Sequence, residues 1–307
     1  MAVVKEPDVL TPENETDEVV SRGRLVWRRF LRRRLAVVGV AVLIGLFVLA
    51  FAGPHLTKWN YLDQDLENNL QGPSMSHYFG TTQLGQDVFT RTMKGLQKSL
   101  VIGLLTALFS TGTAAIVGAS AGYYGGWVDR TLMWIVDLLL VLPSFLILAI
   151  LSPQLEGKGW LLFVVLLAAF SWMITARIVR GLTLSLRERE FVQAARFMGV
   201  PARKIILRHL LPNMSSFLII DATLNVGGAI LAETALSFLG FGVQPPDVSL
   251  GTLIADGTPA ALTFPWLFLF AGLLLITAVL AVNVIGDGLR DALDPNSSAV
   301  KARTRVK

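Results

Sequence analysis

Cysteine is absent from the 307 residues, so the chain has no disulfide, no thiolate metal site and no cysteine nucleophile. Histidine is almost absent too: His55, His77 and His209 lie far apart and show no metal-ligand spacing. Charge is the third scarcity. Only 16% of residues are charged, against about 25% in an ordinary soluble domain, which leaves too little polar material to cover a water-facing globule. A disordered chain, a nucleic-acid-binding domain and a disulfide scaffold are excluded as the main reading. No phosphate loop of the form Gly-x-x-x-x-Gly-Lys-Ser/Thr occurs. Gly157-Lys158-Gly159 has neither the spacing nor the hydroxyl, and no paired-carboxylate or Ser-His-Asp set stands out. The chain therefore reads as a non-enzyme, with no cofactor of its own and no metal.

What is present is apolar: 53% hydrophobic residues and a mean hydropathy of +0.59. Six apolar runs fall at about 35–53, 99–122, 132–151, 160–178, 217–238 and 264–285, each of a length that crosses a bilayer as a helix. Asp137 lies in the third run, where one mid-helix acid costs about 2.5–3.5 kcal/mol and each large aliphatic residue returns about 0.3–0.6. The many such residues around it let the segment insert. The expected fold is an all-α integral membrane protein with six transmembrane helices. The segments 54–98, 152–159 and 239–263 hold only Lys58, Arg91, Lys94, Lys98 and Lys158 of the 27 Lys and Arg, so the positive-inside rule puts both termini in the cytoplasm.

The expected organisation follows from these runs. Residues 1–21 are acidic and polar, a disordered cytoplasmic tail. Residues 22–34 form a basic segment with interleaved Leu25, Val26, Trp27, Phe30 and Leu31. It is either an amphipathic helix on an anionic leaflet or an ordinary basic flank. The first span, 35–53, is longer than a signal-peptide core and is expected to stay as an anchor. Residues 54–98 form an extracytoplasmic loop, 99–290 the transmembrane core, and 291–307 a cytoplasmic tail. The second span carries the pair Gly118-x-x-x-Gly122, which allows close helix approach. The fifth carries Asp221, Asn225 and Glu233, polar groups that belong at a helix interface or along a watery path.

The most informative stretch is the cytoplasmic loop 187–212. Phe191, Ala194, Ala195 and Met198 fall at helical spacing. Gly199 suits a left-handed cap, and Pro201 suits the first position of a second helix ending at Pro212. Helices this short are marginal alone, so an alanine-rich apolar face there is expected to dock on a partner.

Gln193-Ala194-Ala195-x-x-x-Gly199, with His209-x-Leu211-Pro212 downstream, resembles the EAA loop of binding-protein-dependent ABC importer permeases. Gln193 stands where that pattern has an acid, and His209 where it has isoleucine. Further stretches are similar to the second permease subunit of oligopeptide and dipeptide importers: His77-x-x-Gly80-Thr81 with Leu84-Gly85-x-Asp87 and Arg91-x-x-x-Gly95, then Gly122 to Asp129, Leu236 to Gly242 and Gly286 to Asp291. The likeness covers about 22–296.

The resemblance implies the transmembrane domain of a type I ABC importer, multi-pass in the cytoplasmic membrane. Its partners would be a second permease subunit in a heterodimer, two ABC ATPase subunits that bind the ATP and Mg, an extracytoplasmic substrate-binding protein, membrane lipid and a peptide substrate, with no nucleic acid. Coupling to the ATPase falls to Gln193, Ala194, Ala195, Arg196, Phe197 and Gly199, with Ala194, Ala195 and Gly199 as the docking core. Asp221, Asn225 and Glu233 either line the translocation path or bond across it, and Asp137 makes a helix–helix hydrogen bond. The 54–98 loop either receives the binding protein or braces the outer face. The alternatives are a permease for a nickel or other metal chelate, and an ion-coupled carrier using Asp137, Asp221 and Glu233.

Overall fold

The computed structural model describes residues 22–155 and 159–293. The expected tail 1–21, residues 157 and 158 of the Gly-Lys-Gly stretch and positions 294–307 of the other tail lie outside them. The described residues are mostly helical, with two isolated bridges, Gln64 to Gln86 and Thr81 to Asp87. The helices in chain order are α1 (Arg22–Leu31), α2 (Arg34–Ala52), α3 (Val88–Tyr124), α4 (Gly126–Val141), α5 (Ser144–Leu151), α6 (Trp160–Ser171) and α7 (Met173–Arg187). They continue with α8 (Glu190–Phe197), α9 (Ala202–Ile205), α10 (Leu211–Asn213), α11 (Ser215–Phe238), α12 (Leu250–Gly257) and α13 (Trp266–Leu293).

Among the described residues, four helices are long and apolar enough to cross a membrane: Arg34–Leu56, Val88–Tyr124, Ser215–Phe238 and Trp266–Leu293. The third and fourth expected spans are broken rather than continuous. Gly126–Val141 and Ser144–Gln154 are bent by 75°, and Trp160–Ser171 and Met173–Arg187 by 47°; counting each bent pair as one span gives six. Pro143 accounts for the sharper break. It has no N–H to donate to the preceding turn, and its ring drives the residue before it out of the helical region. Leu142 accordingly sits at φ −72, ψ 130.

α3 is the hub. Half of its most apolar window is buried inside the chain, against 22% or less for the other three long helices. It packs mainly on α7 and α11. It starts at Val88, well before the expected position 99, because Asp87 caps it by accepting from the Thr90 N–H at 2.8 Å. Its first turns carry Arg91, Lys94 and Lys98, which hydropathy reads as loop, yet they bury Val88, Phe89, Met93 and Leu96 against protein. Its 37 residues span about 55 Å at 1.5 Å per residue, so it stands well clear of a hydrocarbon layer of about 30 Å. Where α3 meets α7, a Cβ on Gly118 would lie 2.4 Å from the Ala176 carbonyl oxygen, and one on Gly122 would lie 2.7 Å from the Thr183 Cβ. The Gly118-x-x-x-Gly122 pair thus sets the α3–α7 approach.

α1 has one packed face and one free face. Phe30 is buried against Ala36, Ile285 and Ala292, and Arg33 pairs with Asp291 at 3.0 Å, while Leu25, Trp27 and Leu31 are exposed. The segment is therefore an amphipathic helix seated on the end of α13, with its other side open.

At the opposite end of α3, residues 57–87 fold into an ordered cap around His77. Its Nδ1 lies 2.9 Å from Asp87 Oδ1, its Nε2 lies 3.4 Å from Asp65 Oδ2, and its ring stacks on Trp59. A hydrogen bond from Asn68, with a smaller contribution from His77, holds the Asp65 carboxyl below the ordinary carboxylate range. The Trp266 indole donates to the Thr81 carbonyl at 3.3 Å, which ties the cap to α13. The connection after α11 contains α12, whose Ser249 and Thr252 form a capping box.

Candidate functional site

The loop 187–212 is a compact wedge held to the bundle. Arg187 anchors its start by donating from Nη1 to the Gly122 carbonyl at 2.9 Å. α8 ends in a Schellman arrangement: the Val200 N–H donates to Ala195 O at 3.1 Å and the Gly199 N–H to Arg196 O at 3.0 Å. Gly199 takes φ +73, a conformation that costs an L side chain about 1–2 kcal/mol. The chain then turns at Pro201, which flanks the next helix as its cap rather than occupying its first position. That helix runs through Pro212 to Asn213 instead of stopping at the proline. Lacking an N–H at Pro212, the ladder widens to a π turn over Ile206–Leu210.

Val192, Ala195, Ile205, Ile206, Leu210 and Met214 are buried together against Ala119 of α3 and Val179 of α7. The outward side carries Phe191, Ala194, Phe197 and Met198; Phe197 is 88% exposed and Met198 76%. This corrects the expected docking core at one residue. Ala195, 2% exposed, belongs to the wedge's own interior. The stripe Phe191, Ala194, Ala195, Met198 is split because α8 has two apolar faces, one welded to α3 and α7 and one free. Gln193, Arg196 and Gly199 are exposed beside the free face, and Gln193 Nε2 donates to the Glu188 carbonyl at 3.2 Å.

The polar residues of α11 fall into two separate networks. Asp221 accepts from Thr111 Oγ1 of α3, Thr175 Oγ1 of α7 and Asn225 Nδ2 of its own helix, each at 2.9 Å. Asp221 and Asn225 thus brace three helices within this chain. Glu233 is elsewhere and 0% exposed. It accepts from Ser237 Oγ at 2.6 Å and from Ser99 Oγ at 3.3 Å, and Ser99 Oγ also accepts from the Leu250 N–H at 3.1 Å. Glu233 therefore faces no open path in this chain; its partners are hydroxyls inside the junction of α3, α11 and α12. Asp137 pairs with Arg177 between α4 and α7, beside a fork in which Arg180 Nη2 meets Asp129 Oδ2 at 2.6 Å.

Thr111, Thr175 and Ser99 were not legible as site residues, since single hydroxyls in apolar runs carry no spacing signal. Interhelical bonds of this kind contribute about 0.6 kcal/mol each, up to about 1.7. Replacing Asp221 by Ala orphans two interhelical donors and one amide, so a loss of about 1–3 kcal/mol is expected. Denaturant unfolding of the purified protein checks this; an unchanged midpoint would remove the brace from the account.

A bundle of membrane-length helices hung on one hub, with a wedge-shaped loop presenting an apolar knob at one end, defines a multi-pass membrane protein. Comparison with known proteins agrees. Residues 114–298 match the family described as binding-protein-dependent transport system inner membrane component, and residues 21–73 match the N-terminal TM domain of oligopeptide transport permease C. The chain belongs to the family of binding-protein-dependent transport system inner membrane components. The oligopeptide transport system permease protein OppC of Mycobacterium tuberculosis (strain ATCC 25618 / H37Rv) is 57% identical over 289 residues, covering 94% of this chain and 99% of that protein. The dipeptide transport system permease protein DppC of Bacillus subtilis (strain 168) is 42% identical over 270 residues, covering 88% and 84%. Haemophilus influenzae OppC is 39% identical over 285 residues, covering 91% of each.

Proposed function

We propose that the protein is the transmembrane permease subunit of an ATP-binding-cassette importer that moves oligopeptides or dipeptides across the cytoplasmic membrane. It would pair with a second permease subunit, two cytoplasmic ATPase subunits carrying ATP and Mg, and an extracytoplasmic binding protein. Both termini and the 187–212 wedge would face the cytoplasm, and the His77 cap would face the binding protein. Relatives named as oligopeptide and dipeptide permeases support the peptide substrate and do not favour a metal-chelate permease or an ion-coupled carrier.

One observation carries the coupling: α8 is apolar on two adjoining faces, and among the described residues only one of them is packed. The free face, Phe191, Ala194, Phe197 and Met198, suits a groove on an ATPase subunit, where a few buried aromatic anchors supply most of the binding energy. Because the other face is welded to α3 and α7, a displacement of α8 on ATPase closure passes to the hub helix and through Asp221 to α11. The breaks at Pro143 and Trp172 leave the outer halves of their spans free to move differently from the inner halves.

Affinity purification of the tagged protein from native membranes is expected to bring down the second permease and both ATPase subunits. The reconstituted assembly, given binding protein, should take up labelled peptide only with ATP. Gradient-driven uptake by this chain alone in proteoliposomes would overturn the reading.

A further inference from the structure

At the cap end of α3, Arg91 uses two of its five N–H donors on partners among the described residues. Its side chain is only 15% exposed. Nη1 donates to Gln86 Oε1. Nη2 reaches Asp256 Oδ2 of α12 only at 3.4 Å, a long contact for an ion pair. Nε is fully buried and has no acceptor among the described residues. Buried donors without acceptors are rare in folded proteins, and each costs about 1–3 kcal/mol when left so. The underused atoms are not scattered. Nε–H and one Nη2–H lie parallel along a single edge of the guanidinium, the fork that accepts a carboxylate with two bonds.

The Arg91 side chain lines two cavities, with its Nε sealed beneath their surface. Arg91 and Asp256 line both a cleft of about 470 Å³ and a neighbouring one of about 260 Å³, so their contact is part of the wall between the two. The larger falls within the range of small-ligand sites. Its other walls mix apolar Leu62, Phe238, Val243 and Pro246 with the neutral polar groups of Tyr61, Ser237, Gln244 and Thr252. Asp247 at its rim is already paired with Lys98. Asp256, by contrast, is 67% exposed in its side chain and free to swing aside.

We propose that this cleft is a subsite for the free carboxylate end of a peptide, held two-pronged by Arg91 Nε and Nη2, with Asp256 as the gate that covers the fork until a stronger acceptor arrives. The subsite rests on the peptide-importer reading and deepens it. One fixed anchor for the terminal carboxylate, common to every peptide, combined with walls whose remaining acid, Asp247, is already paired would let a single path accept varied side chains.

The test uses the full transporter with its binding protein, reconstituted in vesicles and saturated with either trialanine or trialanine amide, so that the binding protein's own preference cancels. The wild type is expected to take up the free acid about tenfold faster than the amide, the scale of a lost charge-assisted pair. Arg91→Gln should bring that ratio close to one by slowing the acid alone. Asp256→Asn removes the competing carboxylate and should raise the ratio severalfold. A merely structural role cannot produce these opposite directions. A wild-type ratio near one overturns the subsite, as does an Asp256→Asn ratio equal to the wild type, or an assembled Arg91→Gln complex that slows acid and amide alike. ATP-driven uptake of neither peptide by the wild type would instead sink the peptide-importer reading on which the subsite depends.

Discussion

Phe197→Glu is expected to detach the ATPase subunits from a permease that is otherwise intact. Phe197 is 88% exposed and has no role in the buried cluster behind it, so the substitution has nothing to disturb in the fold. On the docked surface the same ring would be a central apolar anchor, and loss of such an anchor costs about 2 kcal/mol or more in binding, roughly thirtyfold in affinity. A buried glutamate without a partner adds to that cost. The measurement is paired: unfolding of the purified protein should match the wild type, while ATPase recovery on affinity purification and ATP-driven uptake should both collapse. Full ATPase recovery would place the coupling contact elsewhere. Ala195→Leu is the useful contrast, because Ala195 is 2% exposed inside the wedge, and its enlargement should damage folding and attachment together.

Gly118→Leu is the second large effect. Even the first atom of the new side chain would sit 2.4 Å from the Ala176 carbonyl oxygen, 2.8 Å from the Val179 Cβ and 3.0 Å from the Arg180 backbone nitrogen. Two of these are backbone atoms that cannot rotate away, so α3 and α7 must separate. Overpacking of this kind costs about 1–3 kcal/mol, and here the shift would also pull Thr175 of α7 away from Asp221. Reduced resistance to denaturant and a fall in assembled complex are expected. Gly112→Ala, two turns earlier on the same helix, meets nothing within 4 Å and should leave stability unchanged or gain up to about 1 kcal/mol from helix propensity. Equal behaviour of the two variants would show that the α3–α7 approach does not depend on the small residue.

The elbow was readable because Gly199 and Pro201 are local signals: a left-handed cap and a restricted φ are properties of single residues and their neighbours. The same locality explains the errors. Periodicity gives the α8 stripe a single apolar face because it counts hydrophobic positions without saying which surface covers them; Val192 and Ala195 turn inward and Phe191, Phe197 and Met198 outward. The early start of α3 was hidden for a related reason. Hydropathy takes lipid as the only apolar partner, whereas Val88, Phe89 and Met93 are buried against protein.

Apolar length and the scarcity of charge determined from sequence alone that this is a helical multi-pass membrane protein, and the loop motifs determined its kind. These are additive or short-range properties, summed along the chain and indifferent to what lies across the bundle. Only the tertiary structure decided that Asp221 ties three helices while Glu233 is sealed in a separate junction, that Ala195 is interior, and that Arg91 holds an unfilled fork between two clefts. Each of these depends on groups far apart in sequence coming into contact, and no window of sequence records that proximity.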